Sequence, residues 1–228
     1  MPMRPGLLAA TRISILLAYA VWIVGPWICA GGKGWPALWV YDGVLAAALA
    51  AQGVYVRRSN PELRQVRRDI RAGTPSWDLV WNVVFWWLMA SEPLAAAAQH
   101  RAHVAGWASW TSLPGAAVVA GGLALSGRAM AVNRFFEATV RLQTDRGQTV
   151  VETGPYRVVR HPGYLGLWLW AAGTPLLLRS VWALIPCALL LVWIPLRTGL
   201  EDRLLRRGLA HYDDYARRVR WRLLPGIW

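Results

Sequence analysis

The chain has 228 residues, of which 56% are hydrophobic and 16% are charged, and 25 Lys and Arg against 12 Asp and Glu give a formal net charge of +13. Soluble domains are typically about 45–50% apolar and about 25% charged. A disordered chain needs low hydrophobicity, so that class is excluded. A soluble nucleic-acid-binding domain, which concentrates basic charge on one face, is not expected either, because so little of this chain is polar.

Six apolar runs come close to the length of about 20 residues that a helix needs to cross a bilayer. In chain order they are Ile13 to Ala30, Pro36 to Val56, Leu79 to Gln99, Leu113 to Met130, Tyr164 to Leu178 and Val181 to Leu196. Only Arg179 and Ser180 separate the last two runs, which are slightly short, and this spacing predicts a tight helical hairpin. The sequence therefore predicts an all-α integral membrane protein with about six transmembrane helices, and the 16 tryptophans suit a membrane–water boundary.

We expect one membrane domain over residues 1–228, with a four-span part at 1–127 and a cofactor-binding catalytic part at 128–228. The first apolar run is long for the core of a signal peptide and lacks a clear cleavage site, so it is expected to be a span. Cys29 and Cys187 lie in apolar runs, which predicts two buried thiols rather than a disulfide framework. No Cys or His cluster has zinc-ligand spacing, and no metal site is predicted.

The cationic side chains are distributed unevenly between the two predicted sides of the membrane. With both termini on one side, four segments share 22 of the 25 Lys and Arg residues: 1–12, 57–71, 128–160 and 197–228. The opposite side holds Lys33, Arg101 and Arg179. The positive-inside rule predicts that the richer side, with both termini, is cytoplasmic. One lysine against 24 arginines indicates a GC-rich coding sequence, and we expect a bacterial inner membrane protein.

A first cluster of polar residues precedes the fifth span. Pro162 is well placed at the first position of a helix, whose free N–H groups and dipole attract anions. Arg160 and His161 add hydrogen-bond donors at the same place. An arginine reaching lipid headgroups beside a structural histidine explains the pattern equally well.

A second cluster follows the sixth span, where Arg197 and Glu201 share a helix face and can form an ordinary salt bridge. Because the hairpin is tight, Glu201 and Asp202 are expected close to the first cluster. Tyr164 and Gly166 lie on the first turn of the fifth span, where glycine permits close approach of a ligand. A cationic and an acidic site in one pocket would suit an amino acid headgroup.

The apolar residues Leu209, Tyr212, Tyr215 and Val219 have helical spacing with arginines between them. This pattern predicts an amphipathic helix under the cytoplasmic membrane face. Such a helix would close the pocket from the cytoplasm. Alternatively, its apolar residues would only pack against the rest of the protein.

Four motifs occur in a fixed order over roughly the last 100 residues: GPYRVVRHPGYLG at 154–166, RTGLED at 197–202, YDDY at 212–215 and the ending LLPGIW. In these motifs the chain resembles the isoprenylcysteine carboxyl methyltransferase family of membrane enzymes, which includes related phospholipid methyltransferases. The resemblance implies an S-adenosylmethionine-dependent methyltransferase with its cofactor pocket at the cytoplasmic face.

Two sets of functional positions are expected, the first carried over largely from the resemblance and the second our own candidates. Expected at the cofactor are Tyr156, His161, Pro162, Tyr164, Gly166, Glu201, Asp202 and Tyr215. Arg160 and Arg197 are expected to organise the acceptor, and Glu201 would act as base if the acceptor is an amine or a hydroxyl. Asp202 stands where the family often has a second glutamate, so its shorter side chain departs from the pattern.

The acceptor is expected to be a lipophilic or membrane-partitioning small molecule or a lipid, and the expected surroundings are membrane lipids, with no nucleic acid. A carboxylate or thiolate acceptor would need no general base. Two other functions stay open on sequence grounds. One is an NADPH-dependent membrane reductase of the sterol-reductase type, although no GxGxxG motif follows a strand. The other is a small transporter or binding protein that would use the intramembrane acids Asp42 and Glu92.

Overall fold

The computed structural model describes residues 5–32, 34–67, 70 and 73–228, and in this part of the chain every regular element is helical. Arg4, Lys33, Arg68 and Arg71, which enter the charge count above, lie outside the described residues. The α-helices are α1 Pro5–Cys29, α2 Pro36–Ser59, α3 Leu63–Val66, α4 Ser76–Arg101, α5 Ser112–Val132, α6 Pro162–Leu178, α7 Leu184–Gly208 and α8 Tyr212–Arg218. Short 3₁₀ helices cover Ser109–Thr111, Thr144–Arg146 and Gly154–Arg157.

Among the described residues, five helices are long and apolar enough to cross a membrane: α1, α2, α4, α5 with the 3₁₀ turn before it, and α7. The fifth predicted run forms α6, which has 17 residues and so spans about 25 Å at 1.5 Å per residue. It starts at Pro162 and stops at Arg179, whose left-handed backbone (φ 57°) ends the helix. The prediction of an all-helical membrane protein is confirmed, with α6 shorter than the other spans.

The predicted hairpin between α6 and α7 forms, but its connection has five residues, 179–183, instead of two, and α7 is longer than its apolar run. It continues from Leu184 to Gly208 instead of ending near Leu196. Arginine, leucine and glutamate are good helix formers, so the loss of apolarity does not end the helix. As a result, Arg197, Glu201 and Asp202 lie on one continuous helix.

Helices α5 and α6 approach each other more closely than any other pair. Gly122 on α5 and Gly166 on α6 face each other, and a Cβ on either one would collide with the carbonyl oxygen of the other. Small residues at such crossings let helix backbones meet inside a membrane. Around this pair, α2 packs on α5, α7 packs on α4 and α6, and α1 packs on α4.

The face of α1 that points away from the bundle is apolar, with Ile13, Leu16 and Ile28 each more than half exposed. Such side chains are suited to contact with lipid. Both cysteines are free thiols; Cys187 is buried as predicted, whereas Cys29 is only partly buried.

Candidate active site

A cavity of about 790 Å³ opens at one end of the helix bundle. The start of α1, the end of α2, the start of α4, the end of α5, the start of α6 and the end of α7 all contribute to its wall. Residues 133–151, between α5 and the following 3₁₀ helix, supply much of the remaining wall. This is the end of the bundle that carries the cationic segments, and its volume falls within the range of about 300–1,000 Å³ found for small-molecule sites.

The structure brings most of the predicted site residues together in this cavity. Those that line it are Tyr156, Arg160, His161, Tyr164, Arg197, Glu201 and Tyr215. They come from the 3₁₀ helix Gly154–Arg157, the start of α6, the end of α7 and α8, so the tight hairpin and the folded-back C-terminal helix converge as the sequence indicates.

Tyr164 and Glu201 form the contact that joins α6 to α7 in the cavity wall. The Tyr164 hydroxyl donates a hydrogen bond to the Glu201 carboxylate. The Tyr164 ring stacks on His161, with centroids 5.7 Å apart, and the Arg197 guanidinium lies 5.2 Å from its centre. A carboxylate, an imidazole and a phenol are thus held side by side at the start of α6.

Arg197 pairs with Asp78 of α4 rather than with Glu201. Its Nε lies 2.9 Å from Asp78 Oδ1 without hydrogen-bond alignment, and its Nη2 donates to the Ala138 carbonyl at 3.0 Å. Asp78 also accepts a hydrogen bond from the Val140 amide at 2.8 Å. The α4–α7 packing brings Asp78 to Arg197, so the pairing with Glu201 that sequence spacing allows is not the one formed.

Asp202 is buried, with 1% of its surface exposed, and lies behind the cavity wall. Five side chains converge on its carboxylate: Tyr212 at 3.0 Å, Arg160 and Arg222 at 3.1 Å, Arg206 at 3.2 Å and His161 at 3.4 Å. The Arg160 contact is an ion pair without hydrogen-bond alignment. These contacts hold the surrounding side chains in place, and the predicted position of Asp202 at the cofactor stays a prediction.

The phenols around this cluster stay protonated at neutral pH. Burial, reinforced by the Asp202 carboxylate, raises the pKa of Tyr212. Burial also raises the pKa of Tyr156 and of Tyr215. The Tyr215 hydroxyl donates to the Tyr156 carbonyl at 2.8 Å, and the Asn133 amide donates to the Tyr156 hydroxyl at 2.9 Å. These bonds tie α8 and the end of α5 to the 3₁₀ helix between them.

Two further predicted site residues lie outside the cavity wall. Pro162 begins α6 and is buried, and Gly166 packs against Gly122 and Ser126 of α5. In the structure Gly166 allows the close approach of α5, and its predicted contact with a ligand stays a prediction. Between these two residues, Gly163 does line the cavity, beside the ring of Phe136.

The C-terminal tail fixes the segment that precedes α6. The amides of Arg160 and His161 donate to the carbonyls of Trp221 and Arg222 at 2.9 and 3.0 Å. The segment before the LLPGIW ending thus holds Arg160 and His161 in place through backbone hydrogen bonds.

Sequence reasoning missed two parts of the cavity wall. One is the segment 133–151, in which Arg141 donates to Glu137 at 2.8 Å and to Asp145 at 2.6 Å. The i±4 spacing of these charges is the only sequence signal for this clamp. The other is Arg67, which the sequence marks only as one cationic residue of the segment 57–71 but which lines the cavity.

The intramembrane acids that a transporter would use lie apart from the cavity. Glu92 is fully buried in the core, and Asp42 accepts a hydrogen bond from the Trp27 indole at 2.9 Å. Neither residue lines the 790 Å³ cavity. This placement does not favour the transporter alternative.

Helices, cavity and motif residues together describe a helical membrane protein with a cavity of small-molecule size at one end of its bundle. The sequence model of the phospholipid methyltransferase family matches residues 110–211, which contain α5, α6, α7 and most of the cavity's polar end. This match independently supports the resemblance to the isoprenylcysteine carboxyl methyltransferase family.

Individual relatives point to the same family. A probable protein-S-isoprenylcysteine O-methyltransferase of rice, Oryza sativa, is 32% identical over 89 residues, which is 38% of this chain and 46% of that protein. Protein-S-isoprenylcysteine O-methyltransferase B of Arabidopsis thaliana is 29% identical over 89 residues, 38% of this chain and 45% of that protein. The chain thus matches slightly less than half the length of these relatives, and the family model supports the resemblance over residues 110–211.

Proposed function

We propose that this protein transfers a methyl group from S-adenosylmethionine to a lipophilic acceptor at the cytoplasmic face of the membrane. The observation that carries the proposal is a single cavity that is polar at one end and apolar at the other. Its polar end holds His161, Tyr164 and Glu201, and its apolar end lies between α1, α2 and α4. A polar donor and an apolar acceptor can meet in such a space.

The residues at the polar end fit the donor chemically. Its amino acid end carries an ammonium and a carboxylate, for which Glu201 and His161 are complementary partners. A sulfonium cation is attracted to aromatic faces, and Tyr156, Tyr164 and Tyr215 provide them. We propose that these five residues hold the donor; bound there, it supplies an electrophilic methyl group.

The chain's own contribution is positioning and the exclusion of water. Catalysis by orientation requires reacting atoms about 3–3.5 Å apart, so small displacements of the wall are costly. The Asp202 cluster and the Tyr164–Glu201 bond fix that wall. Arg197, held by Asp78, stays our candidate for organising the acceptor, whereas Arg160 acts through Asp202 and the tail.

Sidedness and source are part of the proposal. The 22 cationic residues that the sequence assigns to one side of the membrane support a cytoplasmic location for that side and for both termini. The arginine-rich composition supports a bacterial inner membrane. The division into a four-span part, 1–127, and a catalytic part, 128–228, stays a prediction, although residues of α1 and α4 in the cavity wall make the two parts interdependent.

Binding of S-adenosylmethionine to the purified, reconstituted protein tests the proposal. We expect saturable binding by calorimetry, weakened about tenfold or more in His161→Ala and Glu201→Ala, since hydrogen bonds to charged groups contribute about 1.5–3 kcal/mol. Glu152→Ala removes an exposed carboxylate outside the cavity and is the matched control. Absence of binding, or equal affinity in all four proteins, would contradict the proposal. Lipid extraction after incubation with methyl-labelled donor then identifies the acceptor.

A further inference from the structure

A second, smaller cavity of about 250 Å³ opens at the other end of the helix bundle. The start of α2, the end of α4, the segment 104–107 and the connection after α6 contribute to its wall. It shares no lining residue with the 790 Å³ cavity. Its volume lies below the range of about 300–1,000 Å³ found for whole small-molecule ligands, so it suits one small polar group.

Hydrogen bonds within the protein give this smaller cavity a fixed shape. Gln99 of α4 is 3% exposed, and its side chain joins two other segments of the wall. Its Oε1 accepts a hydrogen bond from the Ser180 hydroxyl at 2.7 Å, and its Nε2 donates to the Ala105 carbonyl at 3.0 Å. The amide of Trp107 donates to the Arg179 carbonyl at 3.0 Å. The wall is therefore organised by the chain itself, without a ligand.

Four side chains in this wall carry N–H groups that the protein leaves unused. They are the indoles of Trp35 and Trp107, the imidazole of His100 and the guanidinium of Arg179. Among the described residues, none accepts a hydrogen bond from these side chains. Trp35 stacks on His100 with ring centroids 5.0 Å apart, which fixes the orientation of both rings. A cavity that offers N–H donors and contains no acidic side chain is suited to an anion.

The charge of the surrounding connections favours an anion as well. The three connections at this end contain no Asp or Glu in the sequence; they are 30–35, 102–111 and 179–183. Their ionisable residues are Lys33, His103 and Arg179. Because a cleft surrounded by charge of one sign concentrates the electric field, an anion is attracted to this end of the bundle. Arg179 is partly exposed, so its guanidinium can meet a group that approaches from the membrane boundary.

The aromatic side chains at this end indicate that the smaller cavity lies where hydrocarbon meets headgroups, since tryptophan is enriched at that level. Six of the 16 tryptophans belong to this end: Trp27, Trp35, Trp39, Trp107, Trp110 and Trp182. Apolar side chains here are also strongly exposed, with Trp110 and Ile185 at 71% and Leu113 at 78%. They offer acyl chains a surface to lie on. The anionic group that a membrane presents at this level is the phosphodiester of a phospholipid.

We propose that this cavity binds the phosphodiester of an anionic phospholipid, with Arg179 and His100 as its main partners and the indoles of Trp35 and Trp107 as further donors. An arginine guanidinium matches a phosphate with two parallel hydrogen bonds. Phosphatidylglycerol has an uncharged end group, whereas the choline of phosphatidylcholine would bring a second cation close to Arg179. The site therefore prefers phosphatidylglycerol. Because the two cavities share no residue, this inference is independent of the proposed function.

The test measures ligand affinity for the purified protein in a neutral detergent. A ligand that binds the native state raises the unfolding midpoint, and the rise with concentration gives its affinity. The probes are dioctanoyl phosphatidylglycerol, dioctanoyl phosphatidylcholine and inorganic phosphate. We expect phosphatidylglycerol to bind about tenfold more tightly than phosphatidylcholine, the effect of about one hydrogen bond between charged groups. Inorganic phosphate has no acyl chains and should bind more weakly than phosphatidylglycerol.

Arg179→Gln is expected to lower the affinity for phosphatidylglycerol to about that for phosphatidylcholine, without changing the midpoint measured in the absence of lipid. The backbone of Arg179 is left-handed, with φ 57°, and asparagine tolerates that conformation well. Arg179→Asn therefore repeats the test if Arg179→Gln does not fold. Arg101→Gln is the matched control, because it removes an equal charge at the same end from an exposed residue outside the cavity wall. It should leave the lipid preference intact.

Three results would overturn the inference. One is equal affinity of the wild type for the two lipids, or a preference that survives the loss of Arg179. Another is an equal loss of preference in Arg101→Gln, because the anion would then be attracted by the overall charge of this end and not by the cavity. The third is inorganic phosphate binding as tightly as phosphatidylglycerol, which would assign the cavity to a soluble anion.

Discussion

The charged residues at the polar end of the cavity have two different roles. Some stabilise the structure through buried ion pairs, and others face the cavity and are available to bind a ligand. Arg160 and Arg197 are both buried, and each is neutralised by an acid on a helix, Asp202 and Asp78. A buried ion is tolerated only with a partner, so these pairs cannot open without large cost. His161 and Glu201, which line the cavity, are better placed to meet an incoming charge.

Asp202→Asn tests this division, because it removes the negative charge from a site where Arg160, Arg206 and Arg222 converge. We expect the free energy of unfolding to fall by about 3 kcal/mol, the typical cost of leaving buried charge uncompensated. Asp213→Asn is the control, since Asp213 is 55% exposed and pairs only with Arg206 among the described residues; it should cost less than about 1 kcal/mol. Denaturant titration in detergent measures both, and equal effects would contradict a structural role for Asp202.

The residues of the motifs were predictable, but their partners were not. Pro162, His161 and Glu201 follow from helix-start signals, a charge pattern and a family resemblance. Asp78 lies in the other half of the chain, and nothing local marks it as the partner of Arg197. Spacing favours Glu201 for that role because it considers one helix alone, whereas packing of α4 on α7 decides the pair actually formed.

At the scale of helices, apolar runs predicted which elements exist, and packing determined how far they extend and how they meet. The α5–α6 pair relies on backbone contact at Gly122 and Gly166. It positions the start of α6, from which His161 and Tyr164 enter the cavity. Glycines in apolar runs carry no sequence signal of which neighbour they face, so this crossing could not be predicted from the sequence.

Gly122→Ala tests the crossing, and the adjacent Gly121→Ala controls for helix propensity. A Cβ at Gly122 would collide with the backbone of Gly166 and Trp170, whereas a Cβ at Gly121 meets open space. We expect Gly122→Ala to destabilise the protein by about 2 kcal/mol, as overpacking does. Gly121→Ala should be neutral or stabilise it by up to about 1 kcal/mol. Unfolding midpoints in detergent distinguish the two, and a neutral Gly122→Ala would show that α5 and α6 do not rely on this contact.

At the scale of the whole molecule, the arginine-rich segments and the cavity lie at the same end of the helix bundle. The segments 57–71, 128–160 and 197–228 hold most of the arginines and also supply the residues that close the cavity. The arginines at this end therefore fall into two groups: exposed arginines, which suit contact with anionic headgroups, and inward arginines, which form the ion pairs of the site. Counting the cationic residues predicted their side of the membrane, but only the three-dimensional arrangement separates the inward arginines from the exposed ones.

Cysteine labelling of each end of the bundle tests the predicted orientation. In a background of Cys29→Ala and Cys187→Ala, Ser109→Cys introduces a thiol at the exposed 3₁₀ turn before α5, and Arg207→Cys introduces one at the exposed end of α7. Because the positive-inside rule places the arginine-rich end in the cytoplasm, a membrane-impermeant maleimide added to intact bacterial cells should label only the thiol at position 109. In inside-out vesicles it should label only the thiol at position 207. The reverse pattern would place the cavity on the outer side, away from cytoplasmic S-adenosylmethionine. Labelling of both positions from one side would contradict an odd number of crossings between residues 109 and 207, which α5, α6 and α7 require.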